Sequence, residues 1–211
     1  MRIEALGDSA WLLKNLGAPA YQVAEALRRA SLPGVLDVVA SYEDVGVFMA
    51  SGAPDPQRIL ETFDSHVDSI EPSNHVVPVC YELGEDLNDV AAALGLDPES
   101  VVAAHLGAEY RCYAVGFSPG FGYLGYLPEG ISGVSRLATP RVRVEPGSVG
   151  VTGRQTAVYP SATPGGWRLI GRTPLTLVDV EEDYFPLRAG DLVRFERIDE
   201  SEFSRLKGER L

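Results

Sequence analysis

Along the first seventy residues, apolar positions switch between alternate spacing and helical spacing. Ile3 to Leu6 and Ala10 to Asn15 read as strands around the turn Gly7-Asp8-Ser9, and Pro19 opens an amphipathic helix from Ala20 to Ala30 with Val23, Ala26, Leu27 and Ala30 on one stripe. Strands at Val35 to Tyr42 and Val45 to Ala50 follow, split by Glu43-Asp44. A second helix from Asp55 to Ile70 carries Ile59, Leu60, Phe63 and Val67 on one face. This order predicts a small α+β domain with helices on one side of an antiparallel sheet, too small to be stable without docking on the rest. Glu71-Pro72-Ser73-Asn74 reads as a linker, which divides the chain into domains 1–74 and 75–211.

Beyond the linker the pattern changes. A strand from His75 to Tyr81 leads to helices at Leu87 to Leu94 and Pro98 to Leu106, closed by Gly95 and Gly107. Short β-runs broken by Gly and Pro follow: Tyr110 to Phe117, Val142 to Val144, Ser148 to Thr152, Ala157 to Tyr159, Trp167 to Gly171, Leu175 to Val178 and Leu192 to Ile198. Many short strands with turns between them predict a β-barrel or a closely related sandwich, so the fold class is α+β.

Composition sharpens this picture. The 211 residues are 45% apolar, enough for a sizeable core, and carry a net charge of −12, which argues against a nucleic-acid partner. Residues 116–178 run the other way, with six arginines (Arg136, Arg141, Arg143, Arg154, Arg168, Arg172) against two glutamates (Glu129, Glu145). Arginine's planar fork suits a carboxylate or phosphate, so the cluster implies either anion recognition or pairing with acids elsewhere in the fold. The start of the chain lacks a secretory pattern, which predicts a cytoplasmic protein, and the glycines and prolines between Cys112 and Pro128 exclude a membrane span there. Cys80 and Cys112 stand singly in strand-like settings and read as buried reduced thiols, while His66, His75 and His105 are too scattered for a metal site.

Five places hold candidate chemistry. Pro119-Gly120 fits the centre of a type II turn, around which Phe117, Phe121 and Tyr123 either wall a pocket or cap the core. Phe117, Phe121, Tyr123 and Tyr126 also form an uncharged aromatic run of the kind that anchors a protein interface or buries in its own core. Gln155-Thr156 and Arg172-Thr173 sit at strand ends, where they either converge on a small polar ligand bearing a carboxylate or satisfy barrel backbone. His105 is either a general acid or base or a helix-end packing residue, and Arg141 is the best candidate for polarising a carbonyl or holding a phosphate. No Gly-x-x-x-x-Gly-Lys-Ser/Thr stretch occurs, so a P-loop ATP site is excluded.

The series VPVCYELGEDLNDVAAALGL, YAVGFSPGFGYLGYLP, LATPR, PGSVGVTGRQT, YPSATPGGWRLIGRTPL and AGDLVRF closely resembles the family of the PxpB subunit of 5-oxoprolinase, KipI and allophanate hydrolase subunit 1. The resemblance implies a cyclophilin-like C-terminal β-barrel behind a small α+β domain. It also implies ATP-dependent opening of 5-oxoproline to glutamate, with a KipA/PxpC-like subunit (allophanate hydrolase subunit 2) and a PxpA-like subunit as partners. Two alternatives come with it: a KipI-like inhibitor of a sensor histidine kinase, and a subunit associated with allophanate hydrolase or urea carboxylase. His105 matches a histidine common in the family. Glu145 and Ala157 depart from its usual VPAGS and QTGIYP motifs.

Overall fold

The computed structural model describes residues 1–51, 55–62 and 71–211. They form two compact units, Met1–Pro72 and Ser73–Leu211. In the first, β1 (Arg2–Ala5), β2 (Ala10–Lys14), β3 (Val35–Ser41) and β4 (Asp44–Met49) make an antiparallel sheet in the order β1-β2-β4-β3. Helix α1 (Ala20–Ala30) buries Ala20, Val23, Ala24 and Leu27 and packs on β3 and β4. Ala30, expected on that stripe, is exposed in the last turn, and Ala24 takes its place. Helix α2 (Pro56–Thr62) buries Ile59, while the side chain of Leu60 and residues 63–70, including Phe63 and Val67, lie outside the described residues.

The second unit is built on seven strands: β5 (Asn74–Val79), β6 (Glu109–Val115), β7 (Gly122–Gly125), β9 (Ser148–Thr152), β10 (Gln155–Val158), β12 (Arg168–Arg172) and β13 (Leu192–Arg197). Their order is β12-β9-β10-β7-β6-β13-β5, and every pairing is antiparallel except β13 with β5. The two edge strands then meet. Cys80, just past β5, exchanges both backbone hydrogen bonds with Arg172 at 2.8 and 2.9 Å, which closes the sheet into a nearly complete barrel. One extra ribbon, β8 (Arg141–Val144) with β11 (Thr163–Gly165), stands apart from it.

Strand alternation gives this barrel two cores. Inward positions such as Val79, Cys112, Leu124, Val149, Val151, Ile170 and Phe195 fill the interior, together with Val90 and Ala91 of α3 (Leu87–Leu94) and Val101 and Val102 of α4 (Pro98–Leu106). The opposite faces of β7, β10 and β12 carry Tyr123, Ala157 and Leu169, which pack with Phe121, Val144, Tyr159 and Trp167 in a second, outer cluster. A short helix, α5 (Glu200–Arg205), follows β13.

Three expectations need correction. Residues 175–178 form no strand: Thr176 makes one bridge to Arg210, and Leu177 is buried in the barrel core. The strand expected to run to Phe117 stops at Val115, because Phe117 adopts a left-handed conformation. The Gly122–Gly125 strand has glycine at both ends and no β-branched residue, so its composition concealed it. Gly122 is nonetheless required, since a methyl there would overlap Leu187. Cys80 and Cys112 are free and buried, as their settings suggested, and burial pushes the Cys112 thiol up to about 12.

Candidate functional site

Helix α4 delivers His105 to the middle of the barrel, where the ring is fully buried and stacks on Phe195 at 4.5 Å between centroids. The Tyr81 hydroxyl meets Nδ1 at 2.7 Å, Nε2 meets Thr156 Oγ1 at 3.0 Å, and the Thr156 hydroxyl donates to the Gly150 carbonyl at 3.1 Å. One set of protons satisfies the chain: Tyr81 donates to Nδ1, and Nε2 donates to Thr156, so the imidazole is neutral. Desolvation pushes its pKa down to about 3 and raises that of Tyr81. His105 is thus not placed where an acid or base would act on a ligand, because no solvent reaches the ring and a second ring proton would oppose the Tyr81 hydroxyl. Thr156, also fully buried, belongs to the same interior chain.

Arg141 lies outside the barrel, at the start of β8. Its Nη2 donates to Asp86 Oδ1 at 2.7 Å and its Nε faces Glu85 Oε2 at 3.3 Å. Asp86 occupies the N-cap position of α3 but does not cap that helix. Its Oδ2 instead accepts from the Leu169 N–H at 2.7 Å, and its own N–H donates to the Leu169 carbonyl at 2.8 Å. Those two bonds continue the closure of the barrel along β12 beyond Cys80. The hydrogen bond from Asp86, with the charges of Asp86 and Glu85, holds the Arg141 guanidinium protonated.

The outer aromatic cluster lies beside this latch. Phe121 makes edge contacts with Tyr123, Tyr159 and Trp167 at 5.0, 5.2 and 5.7 Å, and Arg136 lies 6.0 Å over Trp167. Phe121 is buried in this cluster and Tyr123 half-buried, so the pocket and core readings divide between the two.

Gln155, Arg172 and Thr173 do not join Arg141. On β9, Gln155 pairs with Thr152 and Arg172 with Ser148, at opposite ends of the strand and about 13 Å apart along it. Arg172 Nε donates to the Pro146 carbonyl at 3.0 Å, and Thr173 is buried with its N–H on the Gly147 carbonyl. The turn at Pro119-Gly120 lies at the Arg172 end, since β7 runs from Gly122 to its pairing of Gly125 with Gln155. Most of the arginine excess is also taken up within the fold: Arg143 pairs with Glu145 at 2.6 Å, Arg168 with Asp89 at 3.8 Å, and Arg154 lies over the Tyr126 ring at 4.1 Å. A single concave site bordered by all these residues is therefore not formed. Asp86, Tyr159, Trp167 and Arg136 are the residues that sequence reasoning missed. Asp86 looked like an ordinary helix cap, and only the packing of α3 on β12 shows its second use.

The barrel unit does not fit a nucleotide triphosphate at its helix starts. Acidic residues occupy them: Glu85, Asp86 and Asp89 at α3, Asp97 and Glu99 at α4, and Asp199, Glu200 and Glu202 at α5, where phosphates would be repelled. Among the described residues, no cluster of His, Cys, Asp and Glu is arranged to hold a metal ion, and no helix is long and apolar enough to cross a membrane.

With the closed sheet, the outer ribbon and the α3 latch in view, comparison with known proteins is decisive. Residues 1–187 match the family described as carboxyltransferase domain, subdomain C and D. The chain belongs to that family. Its relatives include the PxpB subunit of 5-oxoprolinase from Bacillus subtilis, 35% identical over 234 aligned positions that cover 99% of this chain and 97% of that protein. The corresponding 5-oxoprolinase subunit of Escherichia coli O157:H7 is 42% identical over 178 positions, 81% of each chain. Among solved structures, TTHA0988 in space group P212121 superposes with a TM-score of 0.81 at 36% identity, over 90% of this chain but only 40% of the TTHA0988 chain. In the carboxyltransferase subdomain C and D family, this architecture therefore occurs both as a separate chain and as part of a longer one.

Proposed function

We propose that this chain is one subunit of an ATP-dependent amide-ring hydrolase of the 5-oxoprolinase type. The complex would convert 5-oxo-L-proline, ATP and water to L-glutamate, ADP and phosphate, together with a KipA/PxpC-like and a PxpA-like subunit. The observation that carries this reading is the end-to-end match to the PxpB subunit of 5-oxoprolinase, 99% of this chain against 97% of that protein. The site geometry is compatible with a subunit that requires partners. Its one centrally placed imidazole is sealed in the barrel, and most of its clustered arginines are engaged within the fold. ATP is assigned to a partner, given the acidic helix starts of the barrel unit. In this reading Arg141, Arg136 and the half-buried Tyr123 edge the small-carboxylate site, while His105 and Thr156 support it from within.

The test is reconstitution. The chain is combined with the KipA/PxpC-like and PxpA-like proteins of the same genome, and ADP and glutamate are measured with 5-oxoproline. We expect formation of both products to require all three proteins. Full 5-oxoproline-dependent ADP release without this chain would overturn the proposal. The family description keeps carboxyl transfer as a second reading. Turnover of urea or allophanate in the same mixture, with none of 5-oxoproline, would favour it.

A further inference from the structure

Phe117 has the most exposed aromatic ring among the described residues, at 63%, and holds φ at +73°. Bulky side chains rarely adopt that conformation, and such strain persists mainly where a bound state uses it. The turn that imposes it is closed by the Gly116 N–H on the Phe121 carbonyl at 3.0 Å and the Phe121 N–H on the Ser118 carbonyl at 3.1 Å. Ser118 Oγ is buried there without a partner. Phe121 touches the Phe117 ring at 5.3 Å, and the rest of that ring faces outward.

A second exposed apolar residue lies on the loop packed against this turn. Gly120 rests on Val178, where a methyl would come within 3.0 Å of Val178 Cβ. From Val178 the chain enters a tight loop in which Asp179 and Tyr184 exchange backbone hydrogen bonds at 3.0 and 2.8 Å. Val180, 65% exposed, stands in that loop beside Glu181, Glu182 and Asp183. Arg210 pairs with Asp179 and Glu182, but Glu181 and Asp183 have no basic partner among the described residues.

We propose that Phe117 and Val180 form a docking surface for the KipA/PxpC-like subunit, which meets them with an apolar hollow ringed by Lys or Arg. The apolar pair supplies the anchor, and the acidic loop selects the charge of the partner's rim. This inference rests on the complex proposed above.

The test is the affinity of purified chain for that subunit, with melting temperature measured in parallel. In Phe117→Gly, glycine relieves the left-handed strain, so the melting temperature is expected to stay at or above that of the unmodified chain while affinity falls at least about tenfold. Reversing the acidic loop with Glu181→Lys and Asp183→Lys together should slow association and weaken its dependence on salt. Val142→Ser, at a 90% exposed position on β8, should leave binding unchanged. A lower melting temperature in Phe117→Gly with binding intact would make Phe117 a packing residue and overturn the proposal, leaving the complex itself standing. A homodimer of the unmodified chain that Phe117→Gly dissolves would assign the surface to a second copy and overturn it as well. If the unmodified chain does not bind the KipA/PxpC-like protein at all, both this inference and the complex fall.

Discussion

At the scale of single residues, the fate of a polar side chain is set by what surrounds it more than by its type. His105 is a neutral interior ring because Tyr81 and Thr156 saturate both nitrogens and no water is admitted. Its pKa of about 3, against about 6.5 in an unfolded chain, gives a definite pH dependence. Between these values the unfolded state binds more protons than the native one, so stability contributed above pH 6.5 is lost as pH falls. The loss attributable to this ring is about 2–3 kcal/mol by pH 4.5. Urea unfolding from pH 7 to 4.5 should therefore show a shallower decline in His105→Gln than in the unmodified chain, and equal slopes would contradict the assignment. Asp191 is held in the opposite state. Burial disfavours its charge, yet hydrogen bonds from His75 and from the Arg188 and Ser73 N–H groups keep its carboxyl below the usual range. Neither environment was legible in the sequence, since both are made by strands far apart along the chain. His105 could be placed at the end of a helix, but not inside a barrel.

At the scale of elements, the seam between β5 and β12 decides whether the sheet is closed. Strand pairing supplies only the Cys80–Arg172 bridge, and the start of α3 supplies the remainder through Asp86. Replacing Asp86 by Ala strands the Leu169 N–H and uncouples Arg141, which should cost about 2–4 kcal/mol in urea unfolding. Glu85→Ala, at a side chain 65% exposed, should fall within about 0.5 kcal/mol of the unmodified chain. Similar losses in the two variants would remove Asp86 from the seam. Gly84 serves the same contact, because a methyl on it would overlap the Ile170 carbonyl of β12. Gly84→Ala is thus expected to destabilise by about 2 kcal/mol or more, whereas Gly130→Ala, with no atom within 4 Å, should cost well under 1 kcal/mol. Helices α1, α3 and α4 were legible to the residue, because amphipathic spacing and terminal glycines are local signals. β7 and β11 were not, since glycine-rich strands owe their pairing to their neighbours.

At the scale of the whole molecule, the barrel unit carries its own closed sheet, interior core and outer cluster within Ser73–Leu211. Even its entry is fixed internally, with the Ser73 N–H on Asp191 Oδ1 at 3.0 Å and the Leu192 N–H on the Ser73 carbonyl at 2.9 Å. Expressed alone, residues 73–211 should therefore unfold in one cooperative transition by circular dichroism. A broad, non-cooperative melt would mean that the first unit completes this core.

Local order by itself settled the helices, most of the strands, the change of pattern after Pro72 and the motifs that carry the family resemblance. Each of these depends on side chains within a few turns or a few strand residues of one another. Only the tertiary structure decided which face each Gly- and Pro-bounded strand presents, and with it the chemistry of the candidate residues. One residue of register separates Thr156, sealed beside His105, from Ala157 in the outer cluster. Barrel closure separates Gln155 from Arg172 and turns Arg141 toward Asp86. Those outcomes depend on contacts between residues dozens of positions apart, a scale that local periodicity does not encode.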